Sequence, residues 1–307
     1  MKIIVTGATG FIGSALCKRL HKNGDKVTAL TRNADKGRET LGDIAEIIVW
    51  DSSSSDVLAN CMEGADGIIN LTGENVGSGI WTHEKKRLIR ESRVNAGKAI
   101  LEAVKKVERK PKVLIQASAA GYYGTHGDEI IDESFPAGTG FLSGVAVDWE
   151  DSTKGVEYLN VRRVIIRTGI VLGENGGAFP RLKTSFHLFL GGHMGSGKQW
   201  FPWIHIDDEV EAIHFLLNRK DLKGIYNLTA PNPLIMKDFC HILGEVMNRP
   251  SALSIPGFVL RILMGEMARE MLLSGQRAYP KRLIESGYKF LYPDAKEALQ
   301  EILNKSK

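Results

Sequence analysis

The sequence predicts an α/β protein built on a doubly wound parallel sheet, with a smaller, mostly helical region at its C-terminal end. Three observations predict it. Residues 2–13, KIIVTGATGFIG, pass from a short apolar strand (Ile3-Ile4-Val5) through a turn with Gly7, Gly10 and Gly13 straight into a helical stripe of Ile12, Leu16 and Leu20. Strand and helix patterns then alternate regularly to about residue 173. From about Pro231 onward the pattern is helical, with no sharp break in composition.

The first stretch carries the strongest signal. Strand, glycine turn and helix in immediate succession form the Rossmann dinucleotide-binding arrangement. Gly7 permits the tight turn, Gly10 lets backbone approach a diphosphate, and Gly13 lets the helix pack closely on the strand. The helix N-terminus offers N–H groups and a partial positive charge to phosphate. Thr9, Phe11 and Ile12 of the same turn join the candidate cofactor-binding residues.

The elements follow in order. A second strand, 26–31, ends in Thr31 and Arg32, where an acidic residue would accept from the 2′-hydroxyl of NAD. An arginine there pairs with a 2′-phosphate, so the expected cofactor is NADP; the alternative is a solvated loop residue. A third strand, 45–50, ends in Asp51, a candidate acceptor for the adenine amino group or a cap for the helix after Ser52–Ser55. The fourth, 67–71, leads through Leu71, Thr72 and Gly73, which should pass beneath the cofactor. A long helix over 83–107 shows a seam of Val94, Gly97, Leu101 and Val104. The fifth strand, 112–116, runs into Ala117-Ser118 and a glycine turn. Ser118 is there either to bond a substrate oxygen or the nicotinamide side, or simply to form the turn. A helix is expected over 142–154, then a sixth strand over 161–167 and the run Thr168-Gly169-Ile170.

Residues 191–207 mix glycines with aromatic and basic residues and read as a flexible loop able to wrap a ligand. His205 is a candidate base or a hydrogen-bonded structural residue. Asp207 and Asp208 open the next helix. Further helices are expected near 236–248, 258–273 and 294–304.

Bulk properties narrow the function. A chain of 307 residues that is 43% hydrophobic can bury a large core, and a net charge of +4 without basic clusters gives nucleic-acid binding no support. The three cysteines, Cys17, Cys61 and Cys240, lack metal-ligand spacing and form no disulfide framework, so no metal and a cytoplasmic setting are expected. No signal peptide or membrane span is expected.

TGATGFIG, Ser118 after the fifth strand and HIDD before a helix resemble the extended short-chain dehydrogenase/reductases. GIVLGENGGAF, GSGKQWFPWIHIDD, YNLTAPNP and LSGQRAYPKRLIESGYKF are similar, more narrowly, to an atypical branch: nucleoside-diphosphate-sugar epimerase-like proteins with a small C-terminal domain of unknown function. The resemblance covers essentially the whole chain. It implies an epimerase/dehydratase-type Rossmann domain over 1–230, with a substrate loop at 174–207, and the small domain over 231–307. It also implies NADP on Gly7, Gly10 and Gly13, with Thr31 and Arg32 at the ribose phosphate, Leu71 and Thr72 beside the cofactor, and Ile170 near it. Active members of the wider superfamily use a Tyr and, four residues later, a Lys. Alignment on Trp149-Glu150 puts Leu142 and Ala146 there, and neither carries a proton. A usual Asn of the long helix is replaced by Arg93, a bidentate donor for cofactor phosphates or an anionic substrate, or else a surface ion-pair partner of Glu150 or another acid. Tyr123 matches a structural tyrosine; Tyr122 is the substitute acid considered. The implied function is an NADP-dependent epimerase or oxidoreductase on a small polar substrate such as a nucleotide sugar, with Ser118 as the catalytic candidate. The rival is a non-catalytic NADP-binding sensor or scaffold, since some relatives in chloroplasts and cyanobacteria are linked to cell division. A homodimer is allowed.

Overall fold

The computed structural model describes residues 1–305. Seven strands form one sheet: β1 (Lys2–Thr6), β2 (Lys26–Thr31), β3 (Glu46–Val49), β4 (Gly67–Asn70), β5 (Val113–Ala119), β6 (Arg162–Thr168) and β7 (Gly224–Leu228). All pairings are parallel, in the order β7-β6-β5-β4-β1-β2-β3. Thr6 stands opposite Leu30 on one side and Asn70 on the other, so the carboxyl ends of β2, β1 and β4 finish level. The chain order reverses between β1 and β4, opening the crevice where ligands of such sheets bind.

The strands are apolar on both faces because both faces are covered. Ile3, Val5, Ile69, Ile115 and Val164 pack with α1 (Phe11–Lys22) and α7 (Ile206–Asn218). Ile4, Ile68 and Leu114, pointing the opposite way, pack with α3 (Ser55–Met62) and α4 (His83–Lys106). Between these lie α2 (Ala34–Leu41), α5 (Phe141–Asp151) and α6 (Phe179–His187). A third core gathers Phe179, Phe186, Phe201 and Trp203 with α8 (Met236–Met247) and α11 (Ala295–Asn304). Two more helices, α9 (Gly257–Met267) and α10 (Lys281–Glu285), complete the C-terminal region. Leu283 and Tyr288 of that region enter the sheet's own core.

Some expectations are corrected. The buried face of α4 is Ile89, Ala96, Gly97, Ala99, Ile100, Ala103 and Val104, while Val94 and Leu101 are only partly buried. The helix is covered by both α3 and α5, which widens its buried arc and favours small residues; a Cβ at Gly97 would overlap Ser152. The helix expected to 154 stops at Asp151 and a 3₁₀ turn, Lys154–Leu159, follows. The expected loop 191–207 is pinned by strand pairs: Gly192–Met194 beside Leu253–Ile255, Trp200–Phe201 beside Leu234–Ile235, and Trp203–His205 beside Ile170–Gly173. Neither α6 nor β7 is among the expected elements. Among the described residues, no helix is long and apolar enough to cross a membrane.

Candidate dinucleotide cleft

The glycine turn sits at the crevice. Gly7 has φ +66°, and a Cβ on it would come 2.6 Å from the Leu71 carbonyl oxygen, so the turn presses directly on the end of β4. A Cβ on Gly13 would overlap the Gly7 carbonyl. The helix therefore packs on the turn's own backbone. Gly10 is exposed, donates its N–H to Gly7 O at 3.0 Å and is the N-cap of α1. No side chain caps α1 and no acid stands in its first turn, whereas Arg19, His21 and Lys22 occupy its last. Its positive end therefore has the arrangement that suits an anion.

The flanking candidates divide between cleft and scaffold. The Phe11 ring lies over Gly173, Gly176 and Gly177, where a Cβ at Gly173 would meet it at 2.7 Å. Ile12 leans on the main core. Thr9 and Thr31 bring their hydroxyls to 3.5 Å, and Thr31 exchanges hydrogen bonds with the Asn33 backbone. Arg32 projects from the end of β2, exposed and with no hydrogen-bond or ion-pair partner among the described residues. Asp51 accepts from the backbone N–H groups of Ser53 and Ser54 at 2.8 and 2.9 Å, and from the Ser53 hydroxyl. These bonds hold its carboxyl below the usual range. The cap of α3 is Ser54, whose hydroxyl accepts from Val57 N–H, so Asp51 organises the turn rather than capping the helix.

At the end of β4 a buried polar chain ties three strands together. Thr6 Oγ1 donates to Asn70 Oδ1 at 2.7 Å, and Asn70 Nδ2 donates to Gln116 Oε1 at 2.9 Å. The next hydroxyl, Thr72 Oγ1, is buried without a partner. Gly73 lies under the Arg93 guanidinium, whose Nη1 donates to the Glu74 and Ile89 carbonyls at 3.1 and 2.8 Å. Arg93 makes no ion pair with Glu150. Glu74 instead holds Lys85 at 2.7 Å, and its carboxyl is lowered chiefly by that bond, with Arg32 and Arg93 adding to it.

Beyond β5 the arrangement turns inward. Ser118 is buried and donates to Glu150 Oε1 at 2.6 Å. Arg167 holds both Glu150 oxygens at 2.9 Å and donates to the Tyr123 hydroxyl at 3.1 Å. That hydroxyl donates to Asn227 of β7 at 2.6 Å, and burial pushes it up to about 12. The Tyr122 ring lies 3.3 Å from the Arg167 guanidinium carbon. Ser118 is thus committed to a buried ion pair instead of standing free in the cleft. Leu142 is partly buried in the apolar cluster of Trp81 and Ile89, and Ala146 is buried. Ile170 donates its N–H to Pro202 O at 2.6 Å. His205 is fully buried and caps α7: its Nδ1 accepts from Asp207 N–H at 3.1 Å and its Nε2 lies 2.9 Å from Glu301. That is its structural alternative, and burial lowers its pKa.

The model of the NAD dependent epimerase/dehydratase family matches residues 3–229, and that of a domain of unknown function, DUF1731, matches 255–302. The chain belongs to the NAD dependent epimerase/dehydratase family. It is 38% identical to the epimerase family protein SDR39U1 homolog, chloroplastic, of Arabidopsis thaliana, over 99% of this chain and 87% of that one. It is 37% identical to the epimerase family protein YfhF of Bacillus subtilis, over 99% and 98%. Among solved structures it resembles human epimerase family protein SDR39U1 (isoform 2) with NADPH: TM-score 0.89, 30% identity, 99% of each chain covered. A UDP-glucuronic acid 4-epimerase mutant from Bacillus cereus, at 18% identity and TM-score 0.81 over 99% and 98% of the two chains, shares the fold.

Sequence reasoning about this family member missed Glu150, Arg167 and Asn227 as one network. A signal existed: Arg167 follows the apolar run Val164-Ile165-Ile166 near the carboxyl end of a strand, and a guanidinium buried there requires a buried carboxylate.

Proposed function

We propose that the chain binds NADP(H) across the carboxyl edge of the sheet and acts as an oxidoreductase or epimerase on a small polar substrate, a nucleotide sugar among the candidates. One observation carries the reading: groups with incomplete bonding converge on the same crevice. They are, among the described residues, the uncapped N-terminus of α1, Arg32 with no hydrogen bond or ion pair, and the buried Thr72 hydroxyl with no hydrogen-bond partner. A turn without a ligand has no need of all three. The Gly7–Gly13 turn would hold the diphosphate, and Arg32, with Thr9 and Thr31 beside it, the 2′-phosphate. That human SDR39U1 is crystallised with NADPH supports the phosphorylated form.

The nicotinamide, when bound, supplies a hydride donor or acceptor. The chain's residues orient the substrate around it. With its own hydrogen given to Glu150, Ser118 can act toward a substrate hydroxyl only as an acceptor. Leu142 and Ala146 cannot move a proton, so proton exchange would fall to water, to the substrate or to another side chain, Tyr122 being the candidate.

The same two residues favour the rival, a protein that senses NADP occupancy without turnover. Fluorescence titration with NADPH and NADH tests both readings, which expect tighter binding of NADPH. Incubation with carbonyl substrates and with nucleotide sugars then separates them. Loss of nicotinamide absorbance or appearance of an epimer supports the enzyme, and saturable binding with neither supports the sensor. Equal affinity for the two cofactors would remove the case for NADP.

A further inference from the structure

Arg93 reaches from α4 across the end of β4. A Cβ on Gly73 would stand 2.9 Å from its Cζ, 3.0 Å from Nη2 and 3.2 Å from Nε, nearly equal distances that place Gly73 over the flat face of the guanidinium. The Trp149 ring of α5 lies 4.9 Å from the same carbon. Nη1 is committed to the Glu74 and Ile89 carbonyls. Nε and Nη2 have no hydrogen-bond partner among the described residues, and the side chain is only partly buried. A clamped plane with one satisfied nitrogen and one open edge presents two N–H donors in a fixed orientation, the geometry with which arginine takes two oxygens at once.

No protein acid claims this edge. Glu74 is held by Lys85 and Glu150 by Arg167. Loss of water around the guanidinium lowers Arg93 to about 10, the nearby Glu74 carboxylate partly offsetting it, and the side chain remains charged at neutral pH. The buried Thr72 hydroxyl, one residue before Gly73, also lacks a partner.

Sheet order says which oxygens it meets. Arg32 ends β2, the glycine turn ends β1, and Arg93 lies over the end of β4, on the far side of β1. Neighbouring strands are about 4.8 Å apart. A dinucleotide with its adenosine phosphate at Arg32 and its diphosphate over β1 brings its second half to β4. We infer that Arg93 holds the nicotinamide half of the cofactor, its Nε and Nη2 on oxygens of the nicotinamide ribose and its phosphate, with the Thr72 hydroxyl alongside. This rests on the NADP reading above.

The test titrates the protein with NADPH and with adenosine 2′,5′-bisphosphate, which carries the adenosine half alone. Arg93→Met should raise the NADPH Kd at least about ten-fold, as expected for a lost charged hydrogen bond, and leave the bisphosphate Kd within about two-fold. Arg93→Lys, with charge but no fork, should fall between parent and Arg93→Met. Arg32→Ala should weaken both ligands. Equal weakening of both ligands by Arg93→Met, or of neither, overturns the assignment. If that variant does not fold, Arg93→Lys decides by the same criterion: selective loss of NADPH supports it, and uniform or absent loss overturns it. Failure of the unmodified protein to bind either ligand would instead refute the NADP reading.

Discussion

Gly10→Ala separates the ligand from the fold. Gly10 is exposed, its backbone is extended (φ −78°, ψ 173°), and a Cβ there would meet only the Gly7 carbonyl oxygen, at 3.1 Å. The conformation suits any residue. Glycine is a better N-cap than alanine by about 0.5–1 kcal/mol, so a chain of this size should lose only about 1–4 °C in melting temperature. The same methyl group stands where a diphosphate must approach the N-terminus of α1. Hydrogen bonds to a charged group contribute about 1.5–3 kcal/mol each, so losing one or two costs about 3 kcal/mol, or about a hundred-fold in Kd. Differential scanning fluorimetry and NADPH titration measure the two effects separately. A variant that melts as expected and binds NADPH with unchanged affinity would refute the placement of the diphosphate on this turn. Gly13→Ala is the contrast: its Cβ would overlap the Gly7 carbonyl and approach Ala8 Cα at 2.9 Å, so the damage falls on the fold, by about 1–3 kcal/mol or more.

Three further expectations follow from the same geometry. Arg32→Ala should raise the NADPH Kd about 10- to 100-fold and leave that of NADH within about two-fold, because the exposed guanidinium makes no hydrogen bond or ion pair among the described residues and only a weak attraction to Glu74; parallel titrations check this, and equal losses count against it. Glu150→Gln leaves Arg167 buried without its counter-charge and should cost about 3–5 kcal/mol in denaturant unfolding, while Ser118→Ala removes one hydrogen bond and should cost about 1–2 kcal/mol. A Ser118→Ala variant that unfolds like the parent would show the bond to be dispensable. Glu209 is fully buried, with one oxygen accepting from Thr168 Oγ1 at 2.8 Å and the other unpartnered, and burial pushes it from 4.5 up to about 8. Between those values the folded chain holds a proton the unfolded chain releases, so its contribution to stability falls as pH rises from about 4.5 to about 8 and levels off above. Unfolding midpoints at pH 5 and pH 8.5 should therefore differ less in Glu209→Gln than in the parent, and an unchanged difference would count against Glu209 as a source of the slope.

The alternating strands and the glycine turn were legible because both obey local rules. Period-two packing on two covered faces makes strands apolar throughout, and only glycine meets the contacts at positions 7 and 13. Strand β7 was not, because Asn227 interrupts its apolar run. Its side chain is buried because distant groups satisfy it: Tyr123, 104 positions away, donates to its oxygen, and its nitrogen donates to the Tyr279 carbonyl. Arg93 was legible as an unusual residue, but its partners were not, since a helix position does not reveal that Gly73 and Trp149 will close over a guanidinium. Ser118 was read from its neighbours in sequence, whereas its hydrogen bond is fixed by Glu150, 32 residues on.

The inward turn of Ser118 bears on what the chain can catalyse. Glu150 takes three donated hydrogens, one from Ser118 and two from Arg167, and Arg167 is further tied to Tyr123 and covered by the Tyr122 ring. Removing any member leaves a buried charge or polar group unpaired, so the set behaves as one rigid post joining α5, β5, β6 and, through Asn227, β7. A post of this kind leaves Ser118 no free hydrogen and no room to carry a proton back and forth. Cofactor grip is the better developed half of the site, since the glycine turn, Arg32, Thr72 and Arg93 all present unsatisfied groups to one crevice. A search for turnover should therefore begin with substrates that can exchange their proton with water.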